Sequence, residues 1–284
     1  MENKQKAFDI LGNIAVVRFP KKFKLKDKKK FAKDLLKKHK SVKTVLEKVG
    51  KVKGRLRKIS TKYLAGEKTK EVLYKENACV FRFNIDKTYF SPRLSNERKE
   101  IASLIKKGEN VLVMFSGVAP YAIVIAKNSK SGKIYSNEVN REANKYALLN
   151  IELNKVKNKV ILISGGIKKV AEKINKGKLS IKGNLFLKGG VSVRGNLVPL
   201  KFSVIIMPRP QLKDTFLEQA FILSKKGTRI YYYDFCKENE IEKAKEKIKT
   251  EAKKHKRKIK ILNVKKAGEI APYKFRIRID LRVL

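Results

Sequence analysis

Apolar positions along the chain fall into two periodicities. In FDILGNIAVVRFP (8–20), short apolar runs flank a Gly-Asn turn and stop at Pro20, the pattern of short strands. In DKKKFAKDLLKKHKSVKTVLEKV (27–49), Phe31, Leu35 and Leu36 recur at helical spacing with Lys on the opposite face, which predicts a basic helix. VLYKENACVFRFNIDKTYF (72–90) returns to strands. These elements predict a small α+β domain over residues 1–88, and NIDKTYFSPRLSNER leads from it into a second unit, 89–284.

From residue 99 the pattern predicts a helix, a strand at 111–115, a helix at 118–127, a strand at 133–137, a helix at 140–150 and a strand at 159–163. A strand at 202–207, a helix at 211–224 and a strand at 228–235 follow. Strands alternating with amphipathic helices predict an α/β fold with a doubly wound, mostly parallel, Rossmann-like sheet and right-handed crossovers. KLSIKGNLFLKGGVSVRGNLVPL (178–200) breaks the pattern and reads as a β-hairpin insertion, either a plain meander or a basic flap over RNA.

VLVMFSGVAPYAIVIAK (111–127) is a buried strand, a small-residue turn and an apolar helix, a unit suited to gripping a nucleotide. An acid about twenty residues past such a turn, at the end of the second strand, hydrogen-bonds ribose hydroxyls. Glu138 in KIYSNEVN stands twenty-one residues after Gly117. It also fits a plain role as an acid opening a helix capped by Asn140. The lack of a GxGxxG triplet argues against NAD.

Charge then narrows the partner. The 284 residues hold 71 Lys plus Arg against 26 Asp plus Glu, a net charge of +45, which points to a polyanion, nucleic acid first. Heat adaptation alone would raise acids as well as Lys, and acids are few. No run of about 18 apolar residues exists for a membrane span, and MENKQKAFDI lacks a signal-peptide core, so a cytoplasmic protein is expected. Cys79 and Cys236, with only His39 and His255 to join them, give no zinc spacing, and no metal is expected.

YFSPRLSNER, MFSGVAPYAIVIAK, IYSNEVNREANKYALLNIELNKV, MPRPQLKDTFLEQA, GTRIYYYDF and APYKFRIRIDLRV occur in this order. Together they resemble the archaeal and eukaryotic tRNA (guanine-37-N1)-methyltransferase family, over nearly the whole chain. Related enzymes of wyosine synthesis transfer an aminocarboxypropyl group from the same cofactor. The resemblance implies S-adenosylmethionine as cofactor, tRNA as partner and methyl transfer to guanine N1. The segment from Phe8 resembles the family's middle domain, so the N-terminal domain of longer members is expected to be absent, and a monomer is expected. The resemblance assigns Tyr89, Arg93, Phe115, Gly117, Glu138 and Asn140 to the cofactor pocket, with Gly166 where the family has an acid after the third strand. Tyr89 and Arg93 equally suit pinning the interdomain linker. Val113 replaces the family's aspartate on the first strand.

Methylation at guanine N1 requires loss of a proton while negative charge moves onto O6, so the site needs a base and a cation. The resemblance makes Glu97 the general base and Arg57 the stabiliser of developing charge. Glu97 also fits a helix-start acid favoured by the dipole, and Arg57 a phosphate contact. Where the family carries Asn-Leu-Pro, this chain has Pro208, Arg209 and Pro210; proline donates no hydrogen bond, so either Arg209 or a backbone carbonyl substitutes, with altered base recognition, or the target differs. Two rival functions are aminocarboxypropyl transfer to a wyosine precursor and catalytically inactive RNA binding.

Overall fold

The computed structural model describes residues 8–20, 22–54, 56, 58–177, 201–208, 214–271 and 273–284. The expected hairpin over 178–200, Arg57 and Arg209 lie outside these residues.

β1 (Phe8–Leu11) and β2 (Ile14–Val17) form the hairpin expected from the Gly-Asn turn. Gly12 adopts φ +56°, and a Cβ there would stand 1.8 Å from the Leu73 carbonyl oxygen, so the turn accepts only glycine. α1 (Leu25–Lys38) buries Ala32 and Leu35. It ends earlier than the 27–49 pattern implies, because β-branched Val42, Thr44 and Val45 favour extended backbone and open β3 (Thr44–Lys53). β4 (Lys58–Gly66) completes a sheet of order β1-β2-β3-β4.

β5 (Glu71–Glu76) and β6 (Cys79–Asn84) form a separate antiparallel hairpin. Its Val72, Phe81 and Phe83 share one core with Leu11 and Val16 on one side and Ile101, Val111 and Val113 on the other. A one-turn 3₁₀ helix (Pro92–Leu94) then leads into α2 (Ser95–Ser103).

The large sheet follows the predicted alternation. β7 (Val111–Val113), α3 (Pro120–Asn128), β8 (Ile134–Glu138), α4 (Arg141–Leu153), β9 (Val160–Ser164), α5 (Ile167–Asn175) and β10 (Phe202–Met207) come in turn. α6 (Leu217–Ile222), β11 (Ser224–Lys237), α7 (Ile241–Lys254), β12 (Ile259–Ala271) and β13 (Lys274–Val283) complete it. The helix expected over 211–224 is shorter: Phe216 at φ +56° precedes its first residue, and Ser224 already belongs to β11.

Strand order is β12-β13-β11-β10-β7-β8-β9; the five strands from β11 to β9 run parallel, and β13, then β12 at the edge, extend the sheet by antiparallel pairing. Val111 and Val113 pack towards α2, α3 and α4, while Leu112 and Met114 pack in the core formed with α5, α6 and α7. A strand buried on both faces must be apolar throughout, hence the run VLVM. Strand order reverses between β7 and β10, so the crevice outside their carboxyl ends is the natural ligand position.

Candidate active site

The turn after β7 is backbone in an unusual state. Phe115, Gly117 and Ala119 all lie in the left-handed region, at φ of 56°, 58° and 66°. Such conformations cost on the order of 1–3 kcal/mol for non-glycine residues and concentrate where function holds the chain in place. Glu138, at the carboxyl end of β8, holds it here. Its Oε2 accepts the Gly117 N–H at 2.7 Å, and its Oε1 accepts the N–H groups of Val139 and Asn140 at 2.8 and 2.7 Å. A carboxylate offers about four acceptor positions, so three amides fix its orientation and leave room for a ribose hydroxyl.

Phe115 packs edge-on to Phe216 with ring centroids 4.9 Å apart, presenting an aromatic wall beside that turn. Asn140 is committed elsewhere: Oδ1 caps α4 through the Glu142 N–H, and Nδ2 donates to the Lys87 carbonyl at 3.0 Å. It therefore ties the 85–90 linker to the crevice. Gly166 is the residue before α5, and a Cβ there would meet no heavy atom within 4 Å. Pro208 follows β10 directly, at the same edge of the sheet.

Tyr89 joins this crevice to a second space. A Cβ on Gly117 would stand 3.4 Å from the Tyr89 carbonyl oxygen. Tyr89 and Arg93 also line a cavity of about 310 Å³ between the first sheet, the linker and β12–β13. Arg18, Lys48 and Arg276 line it too, so cations outnumber Asp9 and Glu269 there. Arg93 reaches Asp9 at 3.3 Å in an exposed pair that spans the 3₁₀ helix and β1.

Glu97, in the first turn of α2, is 5% exposed. Its Oε1 accepts the Tyr233 hydroxyl at 2.6 Å and the Arg278 Nη1–H at 2.7 Å, and no other hydrogen bond reaches the carboxylate among the described residues. Burial, reinforced by Tyr121 and Glu97, pushes the Tyr233 phenol well above its ordinary value, so it stays a donor. Burial, then Glu97, pushes Tyr121 up to about 12. Next in sequence, Arg98 serves structure: it pairs with Glu76 and donates to the Ser91 carbonyl at 3.0 Å, locking hairpin, linker and α2 together.

The structure thus gathers Phe115, Gly117, Glu138, Asn140, Gly166 and Pro208 at the carboxyl edge, and Tyr89 and Arg93 in the adjoining cavity, with Glu97 in the first turn of α2, against β11 and β13. Tyr233 and Arg278 escape local pattern reading, being 136 and 181 residues from Glu97. Their signal was a polar side chain recurring within otherwise apolar strands, in YYYDF and FRIRID. Among the described residues, no group of three or more His, Cys, Asp or Glu is arranged to hold a metal, and no helix is long and apolar enough to cross a membrane.

The chain matches the TYW2 N-terminal domain over residues 1–69 and the TRM5/TYW2 methyltransferase domain over residues 72–183. It is 38% identical to the tRNA (guanine(37)-N(1))/4-demethylwyosine(37)-methyltransferase Taw22 of Nanoarchaeum equitans, covering 98% of this chain and 100% of that protein. It superposes on the crystal structure of Trm5b from Pyrococcus abyssi with a TM-score of 0.78 at 31% identity, covering 98% of this chain and 74% of the other. A complex of aTrm5 with tRNALeu superposes with a TM-score of 0.77 at 25% identity, covering 98% and 72%. With crevice, fold and full-length similarity in agreement, the chain belongs to the TRM5/TYW2 methyltransferase family.

Proposed function

We propose that the protein is an S-adenosylmethionine-dependent methyltransferase acting on N1 of guanine-37 in tRNA. The observation that carries this is Glu138: a carboxylate fixed by three amides at the carboxyl edge of the second strand, with acceptor capacity left for a ribose. Phe115 suits the face of an adenine, and the open space at Gly166 leaves room beside it. These residues fit the cofactor; Asn140 ties the linker to the same edge and the Tyr89 carbonyl lies beside Gly117, while Arg93 pairs with Asp9 on β1. When bound, S-adenosylmethionine supplies a methyl group activated by its sulfonium.

Glu97 takes the proton from guanine N1, leaving the electron pair on nitrogen as the attacking nucleophile and negative charge on O6. A positioned base of this kind contributes roughly 10²–10⁴-fold. Arg57 is assigned to the charge on O6, and Pro208 with Arg209 to the walls around the base. The cationic cavity beside Tyr89 suits the phosphates flanking the target nucleotide. The basic 1–88 unit serves RNA binding and the 89–284 unit cofactor binding and chemistry, as a monomer in the cytoplasm, where tRNA is modified.

A second substrate is favoured by the Nanoarchaeum equitans relative, whose name includes 4-demethylwyosine. We infer that the same site also methylates that base when it occupies position 37. Nucleoside mass spectrometry on guanine-37 tRNA and on 4-demethylwyosine tRNA, each incubated with enzyme and cofactor, tests both: one added methyl on each supports the dual activity. No methyl on the second tRNA restricts the enzyme to guanine.

A further inference from the structure

Arg278 occupies the middle of β13, a strand hydrogen-bonded on both sides, and its side chain is 2% exposed. Burying a guanidinium in such a place is costly unless each donor finds a partner. Here the donors do. Nε and Nη2 grip both oxygens of Asp280 at 2.7 and 3.1 Å, Nη2 also reaches Glu100 at 3.0 Å, and Nη1 reaches Glu97. Glu100 is held in turn by Lys265 from β12. Burial pushes Glu100 up, but the contacts with Lys265 and Arg278 outweigh it, and the group titrates below its ordinary range.

The guanidinium is therefore fixed by its own strand before it meets Glu97. Tyr233 lies directly opposite Arg278 in the β11–β13 ladder, so the two side chains project together and converge on one oxygen, Oε1. Oε2 is left outside this clamp. A carboxyl with two free oxygens samples many orientations; one with a pinned oxygen presents the other in a single direction. We propose that Arg278 is a positioning residue for methyl transfer, holding Oε1 of Glu97 together with Tyr233 so that Oε2 is the oxygen that accepts the proton. This rests on Glu97 being the base.

Tyr233 from β11 and Arg278 from β13 touch Glu97 directly; Asp280 and Glu100 act through Arg278, Lys265 from β12 through Glu100, and Tyr121 from α3 interacts with Glu97 as well as with Arg98 and Arg276. Arg278 is the cation in direct contact. Removing it leaves a buried carboxylate without that countercharge, which favours the protonated acid and delays its action as a base until higher pH.

The test is the single-turnover methylation rate of the full chain on a guanine-37 tRNA transcript, from about pH 5.5 to about pH 9. Arg278→Met, Arg278→Lys, Glu97→Gln and the Glu97→Gln/Arg278→Met pair are compared with the parent, alongside tRNA and cofactor affinities. Arg278→Met should move the acid limb up by about one pH unit or more. Arg278→Lys keeps the charge but not the fork, so its limb should stay near the parent's while the rate falls about tenfold at unchanged affinities. The double variant should be no slower than Glu97→Gln alone. If Arg278→Met does not fold, Arg278→Lys decides, since a parent-like rate there overturns the proposal. Rate losses that multiply in the double variant, or an unmoved limb in Arg278→Met, overturn it too while leaving Glu97 as base. Glu97→Gln reacting at full rate removes both the base and its support.

Discussion

Three glutamates show how surroundings set a residue's role. Glu76 is spent on Arg98 in a pair whose side chains are 2% and 1% exposed. Breaking such a pair leaves an uncompensated buried charge, and Arg98→Met should cost about 3–5 kcal/mol, read as a lowered urea midpoint; an unchanged midpoint would show the pair to be idle. Glu138 is spent on three amides, and its remaining acceptor position is the one proposed for the cofactor's ribose. Glu138→Ala should weaken S-adenosylmethionine binding about tenfold or more, since charged hydrogen bonds contribute about 1.5–3 kcal/mol, while tRNA affinity stays near the parent's. Calorimetry with both ligands checks this, and equal cofactor affinity would place the pocket elsewhere. Glu97 has one oxygen held and one outside the clamp. Glu138 could be singled out in sequence by its spacing from Gly117, and Glu97 by the family resemblance of SPRLSNER. The partners that define their chemistry could not, because strand pairing brings Tyr233 and Arg278 in from far along the chain.

At the scale of elements, apolar runs predicted β7, β8, β9 and β10 to within about two residues, because a strand buried on both faces leaves a continuous signal. β3 was hidden behind the lysine-rich helix before it, its Val and Thr positions separated by Lys and Glu that look equally helical. A further device was present in NIELN and carried no local pattern to decode. Asn150 on α4 and Asn154 at its C-cap stand four residues apart and pair with the free edge of β6. Asn154 bonds the N–H and C=O of Val80 at 2.8 and 2.7 Å, and Asn150 those of Arg82 at 2.7 and 3.1 Å. Two side chains thus take the place of a neighbouring strand, which satisfies an edge that would otherwise seek another chain. Asn150→Leu should cost about 1–3 kcal/mol by orphaning both backbone groups of Arg82. Hydrogen exchange at the Arg82 amide should speed up before the rest of the hairpin, and unchanged protection there would show that the ladder does not hold β6.

For the whole molecule, the net charge of +45 and the doubly wound sheet were both open to reading from sequence, one from composition and the other from the order of periodic segments. How the first sheet, the linker and β12–β13 enclose a cationic cavity was not, since that depends on contacts among segments distant in sequence. Lysines and arginines in such excess should displace counterions from RNA phosphates. Affinity for tRNA is therefore expected to fall by about 10³-fold or more between roughly 50 and 200 mM salt. Titration across that range checks this, and a near-zero slope of log affinity against log salt would remove the electrostatic basis for binding.

Methyl transfer to guanine N1 is tested most directly by nucleoside mass spectrometry of an unmodified guanine-37 tRNA after incubation with the protein and S-adenosylmethionine. The expected product is a single methyl on N1 of guanine-37, absent when the transcript carries adenine, cytosine or uracil at that position. An aminocarboxypropyl-sized increment, or no increment while tRNA and cofactor both bind, would contradict it.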